Sequence, residues 1–170
     1  MSTNISQSLL PEFDREIANT RKTLERVPED RPDFRPHPKS MPLSRLAGHV
    51  AEMPMWAAMT LAQDEVEVNP PGGSPYAPFE MRSRADALRL FDENVGKARA
   101  ALASTTDESM MKTWTLKNGG QTIFAMPRAV VMRSFVMNHM VHHRAQLGVY
   151  LRMNDVPVPA LYGPTADEGM

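Results

Sequence analysis

Five histidines, His37, His49, His139, His142 and His143, are the residues of this chain whose types and spacing could do chemistry. The chain contains no cysteine. That excludes a thiolate metal site, a disulfide framework and a catalytic Cys, so any metal must be held by nitrogen or oxygen. On an α-helix each residue turns by ~100° and rises ~1.5 Å, which offsets His139 from His143 by only ~40° and ~6 Å. Both rings can then point at one ion. The same sector of the helical wheel carries Met132, Phe135, Val136, Gln146 and Tyr150, so the pair sits in the middle of an apolar face.

His49 lies on another predicted helix, near the edge of its apolar stripe and beside Met53 and Trp56. Two histidines from one helix and one from another supply three imidazoles suited to Zn²⁺, Ni²⁺ or Fe²⁺, with the remaining positions open to water or substrate. His142 is offset from His139 by ~60° the other way and could replace His143 as a ligand. A buried histidine is also commonly a hydrogen-bonded part of a core, and spacing alone does not pair His49 with the other two. His37, among prolines, reads as solvated. Glu52, one turn after His49, is either an acceptor or general base near the site or the edge of a solvated face. Arg144 fits a structural ion pair or an interface better than catalysis. Gln146 and Tyr150 either orient a bound water or fill the core, and Gly119-Gly120 is too short to cradle a phosphate.

Helices are needed to position these groups, and the apolar periodicity predicts four. Ile5, Leu9, Leu10, Phe13, Ile17 and Leu24 mark the first, from Ile5 to Leu24. Pro28, Pro32, Pro36 and Pro38 then make an extended connector. Ser40 is the expected N-cap of a second helix, with Pro42 in its first turn and the stripe Leu43, Leu46, Val50, Met53, Ala57 and Leu61; Pro54 predicts a kink within it. Asn69 to Pro78 is rich in proline and reads as an irregular crossover. A third helix is expected from about Ser83 to Ala103, with Ser83 and Asp86 as a capping signal and Leu88, Phe91, Val95, Ala98 and Leu102 as its stripe. Between Met111 and Phe124, Asn118-Gly119-Gly120 amid β-favouring residues predicts a short hairpin or ordered loop. A last helix follows Pro127 and runs to about Met153.

The fold class expected from this is all-α, a four-helix bundle with long crossover connections, in one domain spanning residues 1–170. The length suffices to bury a core, and 42% hydrophobic with 23% charged residues is the profile of a folding globular chain. Nineteen basic and twenty acidic residues give a net charge of −1, which supplies no positive field for nucleic acid or an anionic membrane. No run approaches the ~18 apolar residues of a membrane span. Met1 to Leu10 lacks a basic and an apolar stretch of signal-peptide type, so a cytoplasmic location is expected. Fourteen methionines suggest a core filled by flexible side chains. Behind the histidine face of the last helix, Met137, Val141, Ala145 and Gly148 form a second apolar and small-residue stripe, which predicts a homodimer through that helix or its neighbours.

The segment Asn138-His139-Met140-Val141-His142-His143-Arg144-Ala145-Gln146-Leu147 resembles the signature N-H-x-x-H-H-R-[GA]-Q-L of the DinB-like family, named for damage-inducible proteins. Leu46 to Pro54 resembles the family's second-helix histidine segment, and Pro157 to Glu168 resembles the ending of one bacterial branch, so the likeness spans nearly the whole chain. The resemblance implies an up-up-down-down style four-helix bundle, often dimeric, with a three-histidine nickel or zinc site. By position it makes His49, His139 and His143 the ligands and gives His142 a neighbouring, non-ligand place. Relatives include thiol-dependent enzymes that use mycothiol, bacillithiol or glutathione, among them S-transferases and maleylpyruvate isomerases. Two functions follow as expectations. One is a metal-dependent hydrolase or thiol-dependent S-transferase, in which the ion lowers the pKa of a bound water or low-molecular-weight thiol. The other is a non-catalytic stress-related or metal-binding protein, in which the histidines fasten two helices together.

Overall fold

A computed structural model describes residues 5–169, so residues 1–4 of the N-terminal segment and residue 170 lie outside the described residues. Helix α1, Ile5–Leu24, buries Leu9, Phe13, Ile17 and Leu24, the face its periodicity predicts. Helix α2, Leu43–Ala62, runs through Pro54 and buries Leu43, Leu46, Val50, Met53 and Ala57. Its start differs from expectation. Ser40 does not cap it; Pro42 stands at the cap position with no side-chain bond. Instead the Phe34 and Pro32 carbonyls accept from the Leu43 and Ser44 N–H groups, each at 2.9 Å, so the proline-rich connector satisfies donors that a capping side chain would otherwise take. Helix α3, Arg84–Ser104, has the predicted cap, with the Ser83 hydroxyl accepting from the Asp86 N–H at 3.1 Å.

The chain is mostly helical rather than all-α, because it also carries a small three-stranded sheet. The short helix α4, Asp107–Met111, leads into β2, Thr113–Asn118, and β3, Gln121–Pro127, which form the expected hairpin. Gly119 and Gly120 turn it at φ of 61° and 78°, a conformation that favours glycine. The unexpected strand is β1, Glu65–Glu67, which pairs in parallel with Thr115, Leu116 and Lys117 of β2. Alternation along β2 turns Trp114 and Leu116 inward.

The last helical stretch is composite. Helix α5, Arg128–Val131, passes into a seven-residue π segment, Met132–Asn138, and then into α6, His139–Met153. Arg128 fastens its start, donating to the Gln63 carbonyl at 2.9 Å, to Asp64 at 2.8 Å and to the Ser109 hydroxyl at 2.7 Å. Helices α1 and α2 each pack against both α3 and α6 and touch one another less. One core joins them, in which Phe13, Val50, Met53, Phe91, Met132, Val136, Met140 and Leu147 are buried. Among the described residues no helix is long and apolar enough to cross a membrane.

Arg144, one residue beyond His143, holds α6 to α1 as the structural pair expected of it. Its side chain is 1% exposed, and it meets the Glu16 carboxylate at 2.7 Å, the Glu16 carbonyl at 3.0 Å and the Thr20 hydroxyl at 3.1 Å. Tyr162, in the segment after α6, donates to Glu16 at 2.5 Å and also bonds Arg144. Removing one partner of a buried pair leaves an uncompensated charge, at a cost of about 3–5 kcal/mol. Arg144→Ala is therefore expected to lower the unfolding free energy measured by urea denaturation by that order. Adding Glu16→Gln should recover part of the loss, because both charges are then gone.

Candidate metal centre

His49, His139 and His143 come together although 90 residues separate the first two. Helix α2 presents His49, and α6 presents His139 from its first position and His143 one turn later. The Nε2 atoms of His49 and His139 lie 3.4 Å apart, and the candidate ligand atoms of all three rings lie within 4.8 Å of one another. Ring centroids are separated by 5.2, 4.5 and 4.6 Å. Two nitrogens on one tetrahedral ion, at metal distances of about 2.0–2.1 Å, stand about 3.3 Å apart, so the observed spacing suits a shared cation.

Each ring is held from behind. His49 Nδ1 faces Glu52 Oε1 at 3.4 Å, and His143 Nδ1 meets Gln146 Oε1 at 2.8 Å. The His139 ring bonds the backbone of Phe135, and because its Nε2 faces His49, Nδ1 is the nitrogen left for that bond. The turn that joins the π segment to α6 provides for this. The His139 backbone N–H bonds the Val136 carbonyl instead of the Phe135 carbonyl one turn back. With each Nδ1 acting as donor, the Nε2 atoms keep their lone pairs. Two such acceptors at 3.4 Å cannot bond each other, so their chemistry fits a cation between them.

The electrostatics agree. Burial pushes the His143 imidazole down to about 4, against the bond to Gln146 and with the neighbouring histidines adding to the fall. Burial and His49 likewise lower His139, against the favourable Phe135 backbone bond. Both rings are neutral donors at pH 7. Burial pushes Glu52 up, but bonds from His49, the Phe79 N–H and Tyr76, together with Arg45, overcome it and hold the carboxyl below its ordinary value.

The surroundings are asymmetric. Phe135 lies 5.6 Å from the His139 ring and stacks edge-on against Trp56 at 5.4 Å, with Trp114 behind it at 6.3 Å. Beside His143 a cavity of about 450 Å³ is lined by His143, Gln146, Tyr150, Met41, Leu46 and Lys39 among others.

The remaining candidates separate clearly. His142 is exposed, and its Nε2 meets the Gln146 amide at 3.1 Å, outside the cluster. His37 is exposed and accepts from the Lys39 N–H at 3.2 Å. Tyr150 donates to the Met41 carbonyl at 3.0 Å, while Gln146 supports His143. Glu52 is not the edge of a solvated face; it is 3% exposed. Arg45, Tyr76 and Phe79, which complete its surroundings, escaped sequence reasoning. The available signal was the spacing of Arg45, His49 and Glu52, which puts all three on one face of α2.

A mostly helical fold with a three-histidine cluster between α2 and α6 defines the class. The chain belongs to the DinB superfamily, whose family model matches residues 12–147. It is similar in structure to a DinB-like protein from Bacillus cereus ATCC 10987, with a TM-score of 0.70 and 20% identity over 95% of this chain and 100% of that one. The DinB-like protein YjoA from Bacillus subtilis is also similar, with a TM-score of 0.64 and 21% identity over 91% and 96%. No curated protein matches the chain.

The lowered His143 has a consequence for stability. An unfolded histidine takes up its proton near pH 6.5, whereas His143 in the fold resists until about pH 4, so acid favours the unfolded chain across that interval. The melting temperature of metal-free protein is expected to fall between pH 6.5 and 5, above the range where most carboxylates titrate. His143→Gln should flatten that part of the profile in a calorimetric series.

Proposed function

We propose that the chain is a metal-dependent enzyme of DinB type, a hydrolase or thiol-dependent S-transferase. In this reading His49, His139 and His143 hold one divalent transition ion through Nε2, Ni²⁺ or Zn²⁺ first and Fe²⁺ third. The observation that carries it is the 3.4 Å approach of two imidazole Nε2 atoms, with the third ring beside them and a cavity on the His143 flank. When bound, such an ion supplies Lewis acidity and lowers the pKa of a thiol or water next to it. The protein's own part is positioning. Glu52, the Phe135 backbone and Gln146 set the direction of the three rings. Phe135, packed against Trp56, gives His139 an apolar flank, and the cavity has the size of a small-molecule site. Lacking cysteine, the chain must take any thiol nucleophile from a bound small molecule.

The non-catalytic alternative, a stress-related or metal-binding protein in which the histidines merely join α2 to α6, has no use for a cavity opening on one ligand. We read α1, α2, α3 and the composite last helix as the family's four-helix bundle, working in the cytoplasm without nucleic-acid or membrane partners. The test is metal content and activity together. Elemental analysis of untagged protein should find about one transition ion per chain, lost in His49→Ala, His139→Ala and His143→Ala and kept in His142→Ala. Transfer of a low-molecular-weight thiol to an electrophile, or ester hydrolysis, should vanish on chelation and return with Ni²⁺ or Zn²⁺. Retention of metal by His143→Ala with loss in His142→Ala defeats the ligand assignment, and activity in metal-free protein defeats the mechanism.

A homodimer is part of the proposal. Met137 is covered by its own chain, but farther along α6 Ala145 is exposed, and Val149 and Met153 are 56% and 51% exposed. A shallow, largely apolar cavity of about 350 Å³ lies alongside, between α6 and the segment containing Val158 and Leu161. Light scattering should return twice the 19.0 kDa chain mass, and Val149→Arg should return it to one. A monomer in the unaltered protein at micromolar concentration overturns this.

A further inference from the structure

The connector between β1 and α3 closes onto α2 beside His49. The Tyr76 hydroxyl and the Phe79 N–H both donate to Glu52 Oε2, the latter at 2.8 Å. Arg45 donates to the Phe79 carbonyl at 3.0 Å, and the Met81 N–H donates to the Ser44 carbonyl at 3.1 Å. The approach is close. A Cβ on Gly48 would stand 2.2 Å from the Phe79 carbonyl oxygen, so only glycine at the position before His49 lets the connector sit there.

Glu52 is shared between the connector and the histidine cluster. Its Oε1 accepts from Arg45 at 2.8 Å and faces His49 Nδ1 at 3.4 Å, while its Oε2 serves Tyr76 and Phe79. An ionised carboxylate offers about four acceptor sites, and here four donors take them, two on each oxygen.

We infer that Glu52 is a positioning residue for His49 and that it couples the seating of residues 76–81 to cation uptake by the three histidines. The inference rests on the metal reading above. Its basis is geometric. A carboxylate turned to meet Tyr76 and Phe79 on one oxygen is turned to meet His49 on the other, and at 3% exposure it has no solvent to swing into. That meeting keeps the proton on Nδ1 and the lone pair on Nε2, toward His139. If the connector loosens, Glu52 loses two of its four partners and His49 loses a fixed support. The coupling is reciprocal: a cation that holds His49 also holds Glu52, and through it the connector.

Calorimetric titration with Ni²⁺ and amide hydrogen exchange at Phe79 and Met81, both on the whole chain, test this. Glu52→Gln can accept on one side only, so it should weaken Ni²⁺ binding by about 10–100-fold. Tyr76→Phe and Gly48→Ala alter no histidine and no carboxylate, yet each should weaken binding several-fold and change the visible spectrum of Co²⁺-substituted protein. In the unaltered chain Ni²⁺ should slow exchange at Phe79 and Met81, and in His49→Ala it should not. Should Glu52→Gln fail to fold, the other two variants decide. Unaltered affinity and spectrum in Tyr76→Phe and Gly48→Ala overturn the coupling even if Glu52→Gln binds weakly, and so does exchange indifferent to Ni²⁺. An unaltered chain that takes up no Ni²⁺ overturns the metal reading itself, and the inference with it.

Discussion

Two imidazole Nε2 atoms stand 3.4 Å apart here with a third ring alongside, and nitrogens that both present lone pairs have nothing to offer one another. Their approach has to be maintained from outside, by whatever fixes α2 relative to α6. Part of that is the shared core of Leu46, Val50, Met53, Met140 and Leu147. Part is directional. Arg128 ties the start of the last helical stretch to the end of α2, and Arg144 ties α6 to α1 through Glu16 and Thr20. These bonds add a directional constraint on axial position to the non-directional one of apolar burial. His139 and His143 therefore sit between two arginine anchors on one helical stretch.

The π segment is the second device. Where the π segment Met132–Asn138 hands over to α6, the His139 N–H takes the Val136 carbonyl three residues back, a tight turn that leaves the Phe135 backbone to the His139 ring. π segments are rare and cluster at functional sites, because each departs from the better-bonded α-helix and persists only where its surroundings favour it. Here Phe135 is wedged among Trp56, Trp114 and Phe124, and Trp114 is carried by the inward face of β2. The small sheet thus contributes to the site by backing the ring that backs His139.

What could be read from the sequence follows how local each signal is. Helix α1 ends where its apolar spacing says, and the Ser83 cap of α3 forms as written, because both depend on residues within a turn or two. The hairpin turn was legible in Gly119 and Gly120 for the same reason. Strand β1 was not, since Glu-Val-Glu carries no alternation long enough to register and becomes a strand only by pairing with Thr115 to Lys117. The Ser40 cap failed because the backbone of residues 32 and 34 arrives first. Glu52 was ambiguous for a similar reason: whether a carboxylate at the edge of a helical stripe is solvated or buried depends on what lies over it, and residues 76–79 come from another part of the chain. Spacing left His142 and His143 as alternatives, and the fold separates them by turning His142 to solvent.

The three supports behind the rings differ in charge, and that bears on which ligands the cluster favours. Gln146 and the Phe135 backbone are neutral, and the charge of Glu52 is already met by Arg45 at 2.8 Å. The histidines themselves are neutral at pH 7 where burial lowers them, as at His139 and His143. A cation among such donors would keep nearly its full charge, because nothing in direct contact cancels it. The field would be felt most where the dielectric is low and water is few, on the apolar flank of Phe135 and Trp56. On the cavity flank, beside Gln146 and Lys39, the same field would favour an anionic group over a neutral one. An ionised thiol or carboxylate meets that requirement, whereas an amine or ammonium group would be repelled from the same place.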